Sequence, residues 1–210
     1  MSVQKNLVWN GSAWVEFVSQ VWNGSAWVNS HDTVWNGSSW IQIPNWQAAG
    51  PYPAVAMTSP TAPAPYQCSS STNYNTGTYR EWRAFNQTNA NDYCWLSGNN
   101  DTAPWIRLYM GGVALRNIYI LLTNRNSSAV NGIYAANIQG SNDGANWATI
   151  GSISGRNGDT SNLQTAHYCW NSDDTYTWVR LCPTDWRNRT SGSNNYVAVG
   201  ELAIYGQIAA

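Results

Sequence analysis

Carboxyl groups are the first side chains to consider for acid–base chemistry, and this sequence has few of them. The only glutamates are Glu16, Glu81 and Glu201, so no paired glutamate motif is present. Asp173 and Asp174 are adjacent, but they lie in the polar run NSDDT between two strand-like segments, which is typical of a solvated turn. The sequence also contains no G-x-S-x-G, H-E-x-x-H or P-loop motif. We therefore predict that the protein is not an enzyme.

Cysteine and histidine, the usual zinc ligands, also lack the spacing of a metal site. No C-x-x-C pair occurs, and the two histidines are isolated from each other. The residues concerned are Cys68, Cys94, Cys169, Cys182, His31 and His167. One or two disulfides remain open if the protein meets oxidising conditions, and the sequence does not fix their connectivity.

The composition excludes some partners and favours others. Only 10% of the residues are charged, the formal net charge is -1 and Lys5 is the one lysine, so we expect no binding to nucleic acid or to an anionic membrane. Fourteen Trp and twelve Tyr against two Phe favour aromatic faces that are half in water.

The N-terminus lacks the features of a signal peptide, and no run approaches about 20 apolar residues. A soluble product made in the cytoplasm is therefore expected.

The chain divides into three zones of different composition. Residues 1–46 carry an eight-residue motif three times, and residues 47–66 are rich in Pro and Ala, which predicts an extended linker. Residues 67–210 consist of short apolar runs separated by clusters of Asn, Gly, Ser and Asp. Because no window sustains a helical stripe, these runs predict short strands and an all-β sandwich.

Four segments of the last zone occur in the order and spacing of a known domain. They are YREWRAFNQTNANDYCWLS, APWIRLYMGG, IQGSNDGANWATIGSISG and YVAVGELAIYG. On these motifs, residues 67–210 resemble the discoidin domain, also called the coagulation factor V/VIII C-type domain, which includes carbohydrate-binding module family 32. The resemblance implies an eight-stranded jelly-roll sandwich that is used mostly for non-catalytic binding, commonly of sugars.

The segment GSNDGANW, residues 140–147, is the most specific of these motifs. Asn and Asp tolerate a left-handed backbone and Gly144 accepts positive φ, so SNDG is predicted to form a tight turn that reverses YAANIQG into NWATIGSI. Large apolar side chains near these motifs are expected in the core. They are Trp147, Phe85, Trp95, Trp105 and Ile106.

The family resemblance also implies a possible structural calcium ion. Many members hold Ca²⁺ with the Asp of an AFDG segment, nearby loop carbonyls and the Glu of the closing strand. The matching residues here are Asn86 and Glu201; Asn86 keeps an oxygen without a charge, and Asp92 in the same loop could restore the charge. Calcium takes about six to eight oxygens and binds more weakly as carboxylates are lost. Hydrogen bonds of Asn86 and Glu201 to each other or to the loop backbone are the alternative.

Two loops carry the residue types of a sugar-binding site, which needs an aromatic platform and fixed polar partners. The resemblance places such sites on loops at one end of the sandwich. The loop YNTGTYREW offers Tyr74, Tyr79 and Arg80. The loop DWRNRTSGSNNY, which is the first choice because its Trp is expected to be exposed, offers Trp186, Arg187, Asn188 and Arg189. Trp170 is a further candidate that could equally be buried, and ordinary loop packing is the alternative for both loops.

The N-terminal repeats are near palindromes, VWNGSAWV at 8–15 and 21–28 and VWNGSSWI at 34–41. They predict hairpins in which Trp9 lies opposite Trp14, whereas a two-residue Asn-Gly turn would pair Trp9 with Ser12. A single short hairpin cannot bury its indoles, so we expect the repeats to cover one another or to join copies in a homo-oligomer, with a trimer favoured. The proposed oligomerisation residues are Trp9, Trp14, Trp22, Trp27, Trp35 and Trp40. A sugar platform is the alternative for these tryptophans.

Short Trp-Asn-Gly repeats ahead of a binding jelly roll resemble the tail-fibre, head-fibre and spike proteins of bacteriophages. The resemblance implies a non-enzymatic virion protein, made in the host cytoplasm, that displays a glycan-binding jelly roll for adhesion to host or environmental polysaccharide. The repeats would attach it to other virion proteins. One alternative is a structural decoration or connector protein whose jelly roll binds protein neighbours, and another is a binding module severed from a secreted glycoside hydrolase.

Overall fold

The computed structural model describes most of the chain, and strands dominate it. The described residues are 7–9, 14–16, 20–22, 27–29, 33–35, 40–42, 46–75, 77–88, 93–127, 131–154, 163–189 and 195–209, with side chains described from Ala48 to Ile208. The strands β1 to β17 are, in chain order, Leu7–Trp9, Trp14–Glu16, Gln20–Trp22, Trp27–Asn29, Thr33–Trp35, Trp40–Gln42, Trp46–Tyr52, Gln67–Ser70, Trp95–Leu96, Ile106–Tyr109, Arg116–Thr123, Ile133–Ser141, Ala148–Ile153, Thr165–Cys169, Trp178–Trp186, Ala198–Val199 and Glu201–Ala209. A short 3₁₀ helix spans Glu81–Phe85. None of the described helices has the length and apolar character that crossing a membrane requires.

The chain forms two compact units, and the first contains the repeats. This unit comprises Met1–Gln47 together with Ala209–Ala210. In it, β1 pairs with β2, β3 with β4 and β5 with β6, each pair forming its own two-stranded antiparallel sheet. In the first pair Trp9 is the Cα partner of Trp14. The indoles lie outside the described side chains, so their role in oligomerisation stays a prediction.

The second unit, Ala48–Ile208, is a β sandwich. One sheet has the strand order β13-β12-β15-β10-β8 and the other β14-β11-β17-β7, while β16 and β9 form a small separate pair. Strand β10 shows why the sheets face each other: Ile106 and Leu108 are buried, and Arg107 and Tyr109 point to the outer face. Burial of each such aliphatic side chain stabilises the fold by about 1.5–3 kcal/mol. The prediction of an all-β sandwich is confirmed.

Residues 48–66 belong to the sandwich, so the prediction of a linker over residues 47–66 is corrected for them. Strand β7 lies at the edge of the four-stranded sheet beside β17, which brings the described strands of the two large sheets to nine where eight were predicted. Met57 is 1% exposed, and its N–H donates to the carbonyl of Phe85 at 3.0 Å. The carbonyl of Pro60 accepts from the N–H of Cys68 at 2.8 Å. Pro and Ala obscure the strand periodicity of this segment, but they do not prevent it from packing.

The SNDG segment reverses the chain as predicted, over a loop of six residues. Strands β12 and β13 are antiparallel, with Gly140 opposite Ala148. Asp143 holds the loop by accepting the N–H groups of Ala145 and Asn146, both at 2.8 Å, and these hydrogen bonds hold the pKa of its carboxyl below the usual range. Gly144 has φ +70°, a conformation that glycine adopts without strain.

The large side chains that were expected in the core divide into two groups. Phe85, Trp95 and Ile106 are fully buried, as predicted. Trp105 and Trp147 are only half-buried, so that part of the prediction is wrong. Each of these two residues comes directly before a strand of the five-stranded sheet, and each contacts arginine side chains of that sheet's outer face.

Candidate functional site

The loops at one end of the sandwich contain most of the predicted binding residues. Strand β8 ends at Ser70, which is paired with Ile106 at the start of β10, and β15 ends at Trp186 opposite Ile133 at the start of β12. Segments that connect strands of the five-stranded sheet therefore converge at this end, and Arg125, which follows β11 of the other sheet, lies 5.6 Å from the ring of Tyr79. We call it the loop end, and its described residues are 71–75, 77–80, 97–105, 124–127, 131–132, 187–189 and 195–197.

A tyrosine cluster, Tyr74, Tyr79 and Tyr196, lies at the loop end. The ring of Tyr74 is 6.0 Å from that of Tyr79 and 5.1 Å from that of Tyr196. Tyr196 is buried and Tyr79 half-buried, whereas Tyr74 is 45% exposed. The N–H of Tyr74 donates to the carbonyl of Leu96 at 2.9 Å, which fixes the backbone beneath the ring. An exposed aromatic ring supported in this way can offer its face to a ligand.

Arg80 lies beside this cluster but is engaged by a carboxylate. Its guanidinium forms two hydrogen bonds with Glu81, at 2.9 and 3.0 Å. Burial by itself would raise the pKa of Glu81, but the hydrogen bonds from Arg80, the backbone and Asn73 outweigh it and lower that pKa. The ion pair fixes the start of the 3₁₀ helix, so Arg80 acts first as a structural residue.

The expectation that Trp186 is exposed is wrong. The residue is 2% exposed and packs in the main hydrophobic core, while its indole N–H has no hydrogen-bond partner in the part of the chain that the structure describes. A register shift explains the difference: Ala135 lies opposite Asp185 and Ala136 opposite Pro183, so Thr184 is an extra residue in β15. Such a bulge reverses the alternation of faces and turns Trp186 inward. A buried indole cannot serve as a platform.

The other residues of that loop have separate environments. Arg187 donates its backbone N–H to Gly132 at 3.0 Å. The Asn188 amide donates to Oδ1 of Asn131 at 3.3 Å, and the Asn131 amide in turn donates to the carbonyl of Tyr196 at 3.0 Å. Asn188 is thereby connected to the tyrosine cluster, which brings parts of both predicted loops together.

Arg189 and Trp170 lie away from the tyrosine cluster. The guanidinium of Arg189 stacks 5.1 Å from the ring of Trp186 and donates to the carbonyl of Thr184. Trp170 follows β14 at the opposite end of the sheet, where it is half-buried and stacks on Tyr168 at 6.1 Å. A Cβ atom on Gly151 would lie 2.0 Å from the Trp170 ring, so this indole packs directly on the backbone of β13. Trp170 therefore links the edges of the two sheets.

The predicted calcium ligands hydrogen-bond to the loop backbone. Oδ1 of Asn86 accepts the N–H of Thr88 at 3.1 Å, and Oε1 of Glu201 accepts the N–H of Gln87 at 3.2 Å. Asp92 lies outside the described residues. Oε2 of Glu201 is buried and has no hydrogen-bond partner among the described residues, and burial raises the pKa of this carboxyl to about 8. Within the part of the chain that the structure describes, no three His, Cys, Asp or Glu side chains are grouped as metal ligands.

The outer face of the five-stranded sheet carries a group that sequence reasoning missed. We call it the arginine face and define it by Arg107, Arg180, Trp105, Trp147 and Trp178. The guanidinium of Arg180 is 4.2 Å from the Trp147 ring, and that of Arg107 is 5.0 Å from the Trp178 ring and 5.1 Å from the Trp105 ring. These distances are those of cation–π contacts.

A groove of about 310 Å³ adjoins the arginine face. Trp105 and Arg180 line one part of it, and Arg189 of the predicted binding loop lines another. The sequence pattern that could have predicted the arginine face is the alternation of I-R-L-Y in β10 and W-V-R-L in β15. In each strand the aliphatic residues are buried, so the arginine between them points to the other face of the sheet. The sequence does not show that these two strands are neighbours.

Solved structures with a similar fold include carbohydrate-binding modules. CpGH89CBM32-5 from Clostridium perfringens, in complex with GalNAc-β-1,3-galactose, is 18% identical, with a TM-score of 0.54 over 66% of this chain and 94% of that chain. The family 32 CBM of NanJ from C. perfringens, in complex with galactose, is 15% identical, with a TM-score of 0.52 over 67% and 93% of the two chains. The F5/8 type C domain of a Bacteroides fragilis protein is 14% identical, with a TM-score of 0.55 over 78% and 98%. At these identities the likeness shows the fold.

The family follows from the sequence match together with this fold. No curated protein matches the chain. The family model described as F5/8 type C domain matches residues 66–202, which is more than half of the chain and nearly all of the sandwich. The resemblance found in the sequence motifs is confirmed, and the chain belongs to the F5/8 type C domain family.

Proposed function

We propose that the sandwich is a non-catalytic glycan-binding module whose binding site is the tyrosine cluster at the loop end. The observation that carries this proposal is the exposed ring of Tyr74, supported from below by Tyr79 and Tyr196. A pyranose ring has an apolar face that stacks on such an aromatic platform, and its hydroxyls accept and donate hydrogen bonds at the rim.

Amide side chains at the loop end provide suitable partners for those hydroxyls. Asn188 and Asn131 connect to the cluster through the carbonyl of Tyr196, and the Asn195 amide donates to Oδ1 of Asn100 at 3.4 Å. The two similar C. perfringens modules are in complex with GalNAc-β-1,3-galactose and with galactose, which makes a galactose-containing glycan the first class to test.

A glycan array probed with the full chain tests this function, followed by titration calorimetry on the best neutral ligand. We expect Tyr74→Ala to weaken that binding by about tenfold or more, because one stacked aromatic contributes about 1–3 kcal/mol in comparable sites. Tyr119→Ala, which removes an aromatic ring from the outer face of the other sheet, is the matched control and should bind as the natural chain does. Equal binding by both variants would remove the tyrosine cluster from consideration.

The wider role in a bacteriophage virion rests on the repeats and their resemblance to fibre proteins. In this role the first unit joins copies of the chain, with a trimer favoured, or attaches them to other virion proteins. The sandwich then presents several weak glycan sites at once, and such multivalency raises the overall avidity. If no glycan binds the full chain but purified virus particles bind it, the better function is that of a decoration protein whose jelly roll binds protein neighbours.

Calcium is proposed as a structural ion near Glu201. Oε2 of Glu201 is buried, has no partner among the described residues and is an acceptor that a cation would satisfy. Asn86 supplies a second oxygen from the loop that hydrogen-bonds to Glu201 through Gln87. Bound Ca²⁺ would hold residues 86–88 against the start of β17 and would leave the tyrosine cluster unchanged.

A further inference from the structure

Two like charges lie side by side on the arginine face. Arg107 of β10 and Arg180 of β15 are Cα partners, so their side chains leave the same face of the sheet at adjacent positions. Like charges directly opposite each other on a sheet are destabilising. Among the described residues no carboxylate pairs with either arginine, and the ion pair observed elsewhere joins Arg80 and Glu81. An anion placed between the two guanidinium groups would relieve this repulsion.

Hydrogen bonds hold both guanidinium groups in place. Nε of Arg107 donates to the Ser69 hydroxyl at 2.7 Å and its Nη1 to the carbonyl of Gly144 at 2.6 Å. Nε of Arg180 donates to Oε1 of Gln139 at 3.0 Å, and its Nη2 donates to the same oxygen. Nη2 of Arg107 has no hydrogen-bond partner among the described residues, whereas the Arg180 side chain is also hydrogen-bonded to Cys182. Both guanidinium groups are therefore preorganised, and Nη2 of Arg107 is available to a ligand.

The surroundings strengthen the case for an anionic ligand. Trp147 stacks on Arg180 and Trp178 on Arg107, which fixes the planes of both guanidinium groups. Partial burial, together with the charge of Arg180, lowers the pKa of Arg107. Carboxylate and sulfate groups have two or more oxygens and can bridge two guanidinium groups by charge-assisted hydrogen bonds.

The size of the charged region indicates what carries the anion. The adjoining groove contains Arg189, so three arginines lie along the path from the sheet face to the loop end. A nucleic acid requires a broader basic surface, but the whole chain has only 10 Lys and Arg and a net charge of -1. Trp105 also lines this path and can pack against the apolar face of a sugar ring.

We propose that the arginine face and its groove form a second binding site, separate from the tyrosine cluster, for the carboxylate or sulfate groups of an acidic glycan. The choice of a glycan as carrier of the anion rests on the proposed function. The position of the anion between Arg107 and Arg180 rests on the pairing and the contacts of these two arginines and does not depend on the proposed function.

The test is titration calorimetry of the full chain with oligogalacturonate, a sulfated galactan oligosaccharide and a neutral galactan oligosaccharide. We expect at least one acidic oligosaccharide to bind, and we expect Arg107→Gln and Arg180→Gln each to weaken it by roughly tenfold or more. Arg180→Lys should restore only part of the affinity, because lysine keeps the charge without the planar pair of donors. Arg116→Gln removes the same charge from the other sheet and should have no effect.

Several results would overturn this proposal. These are the absence of binding to both acidic oligosaccharides, equal weakening by Arg180→Gln and Arg116→Gln, or full affinity in both arginine-face variants. Polyglutamate and polyuridylate serve as further probes. If either binds at least as tightly as the acidic glycans and is lost in Arg180→Gln, the partner is an acidic protein or a nucleic acid and not a glycan.

The two proposals fail separately. Loss of neutral glycan binding in Tyr74→Ala with retained binding of acidic glycan supports two independent sites. Binding of the neutral glycan alone overturns the second site and leaves the proposed function intact. Binding of the acidic glycan alone, insensitive to Tyr74→Ala, overturns the tyrosine cluster as the site and supports the arginine face.

Discussion

The loop end and the arginine face use aromatic side chains in opposite ways. At the loop end, the exposed ring of Tyr74 packs edge-on against Tyr79 and Tyr196, and no arginine among the described residues stacks on it. On the arginine face, the indoles stack on guanidinium groups and are themselves only half-exposed. Aromatic side chains thus form a neutral platform on the loops, where tyrosines pack on one another, and part of the proposed anion-binding surface on the sheet, where tryptophans stack on arginines.

Trp186→Ala tests whether the two regions depend on the same core. This indole is buried where β15 meets the loop end, and the same strand carries Arg180 on its outer face. We expect the substitution to lower the free energy of unfolding by about 3–5 kcal/mol, since it leaves a large cavity. Chemical denaturation of the natural chain and the variant measures this difference.

Trp105→Ala is the matched control for that substitution. Its indole is half-buried, so its removal should destabilise the fold by clearly less than the removal of Trp186. If Trp186→Ala is as stable as the natural chain, the inward orientation that the bulge imposes on this residue is wrong.

Asn131→Gly separates the two regions, because it acts on the loop end alone. Asn131 has φ +47°, which glycine tolerates, and its amide joins Asn188 to the carbonyl of Tyr196. Loss of these buried hydrogen bonds should cost about 1–3 kcal/mol of stability. We expect neutral glycan binding to weaken several-fold while acidic glycan binding stays unchanged, measured by calorimetry at a temperature where the variant is folded. Equal weakening of both would show that the two regions are coupled.

Binding of Ca²⁺ near Glu201 should raise the stability of the fold without affecting the tyrosine cluster or the arginine face. Addition of Ca²⁺ is expected to raise the Tm of the natural chain by a few degrees, on the order of 1 kcal/mol for a chain of this size, and Glu201→Gln should abolish the rise. Asp173→Asn, which alters an exposed turn, should respond to Ca²⁺ as the natural chain does. A Ca²⁺ response that persists in Glu201→Gln would place the ion elsewhere. The measurement is thermal unfolding in the presence of a chelator and in excess Ca²⁺.

Much of the fold could be predicted from local signals. The apolar runs of five to ten residues predicted short strands, and Asn, Asp and Gly at 142–144 predicted the reversal between β12 and β13. Residues 47–66 were harder to interpret, since Pro and Ala interrupt the strand periodicity while Met57 still fills the core. The sequence alone offered no means to recognise β7 as an edge strand.

The candidate sites were predictable only in part. Tyr74 was proposed because aromatic residues in loops next to Arg and Asn are typical of sugar sites, and its ring is exposed, whereas Trp186 was assigned to the surface by the same reasoning and is buried. An extra residue in β15 reverses which side chains face inward, and a bulge of one residue leaves no clear mark in the sequence.

The amino-acid sequence was sufficient to identify the family, the all-β architecture and the turn at SNDG, because each depends on motifs or on residues close together in the chain. The pairing of Arg107 with Arg180 depends on the register of two strands that are more than 70 residues apart, and so do the contacts of both with Trp147. Register between distant strands is set by packing of the whole sandwich. The tertiary structure was therefore needed to bring these arginines together and to turn Trp186 into the core.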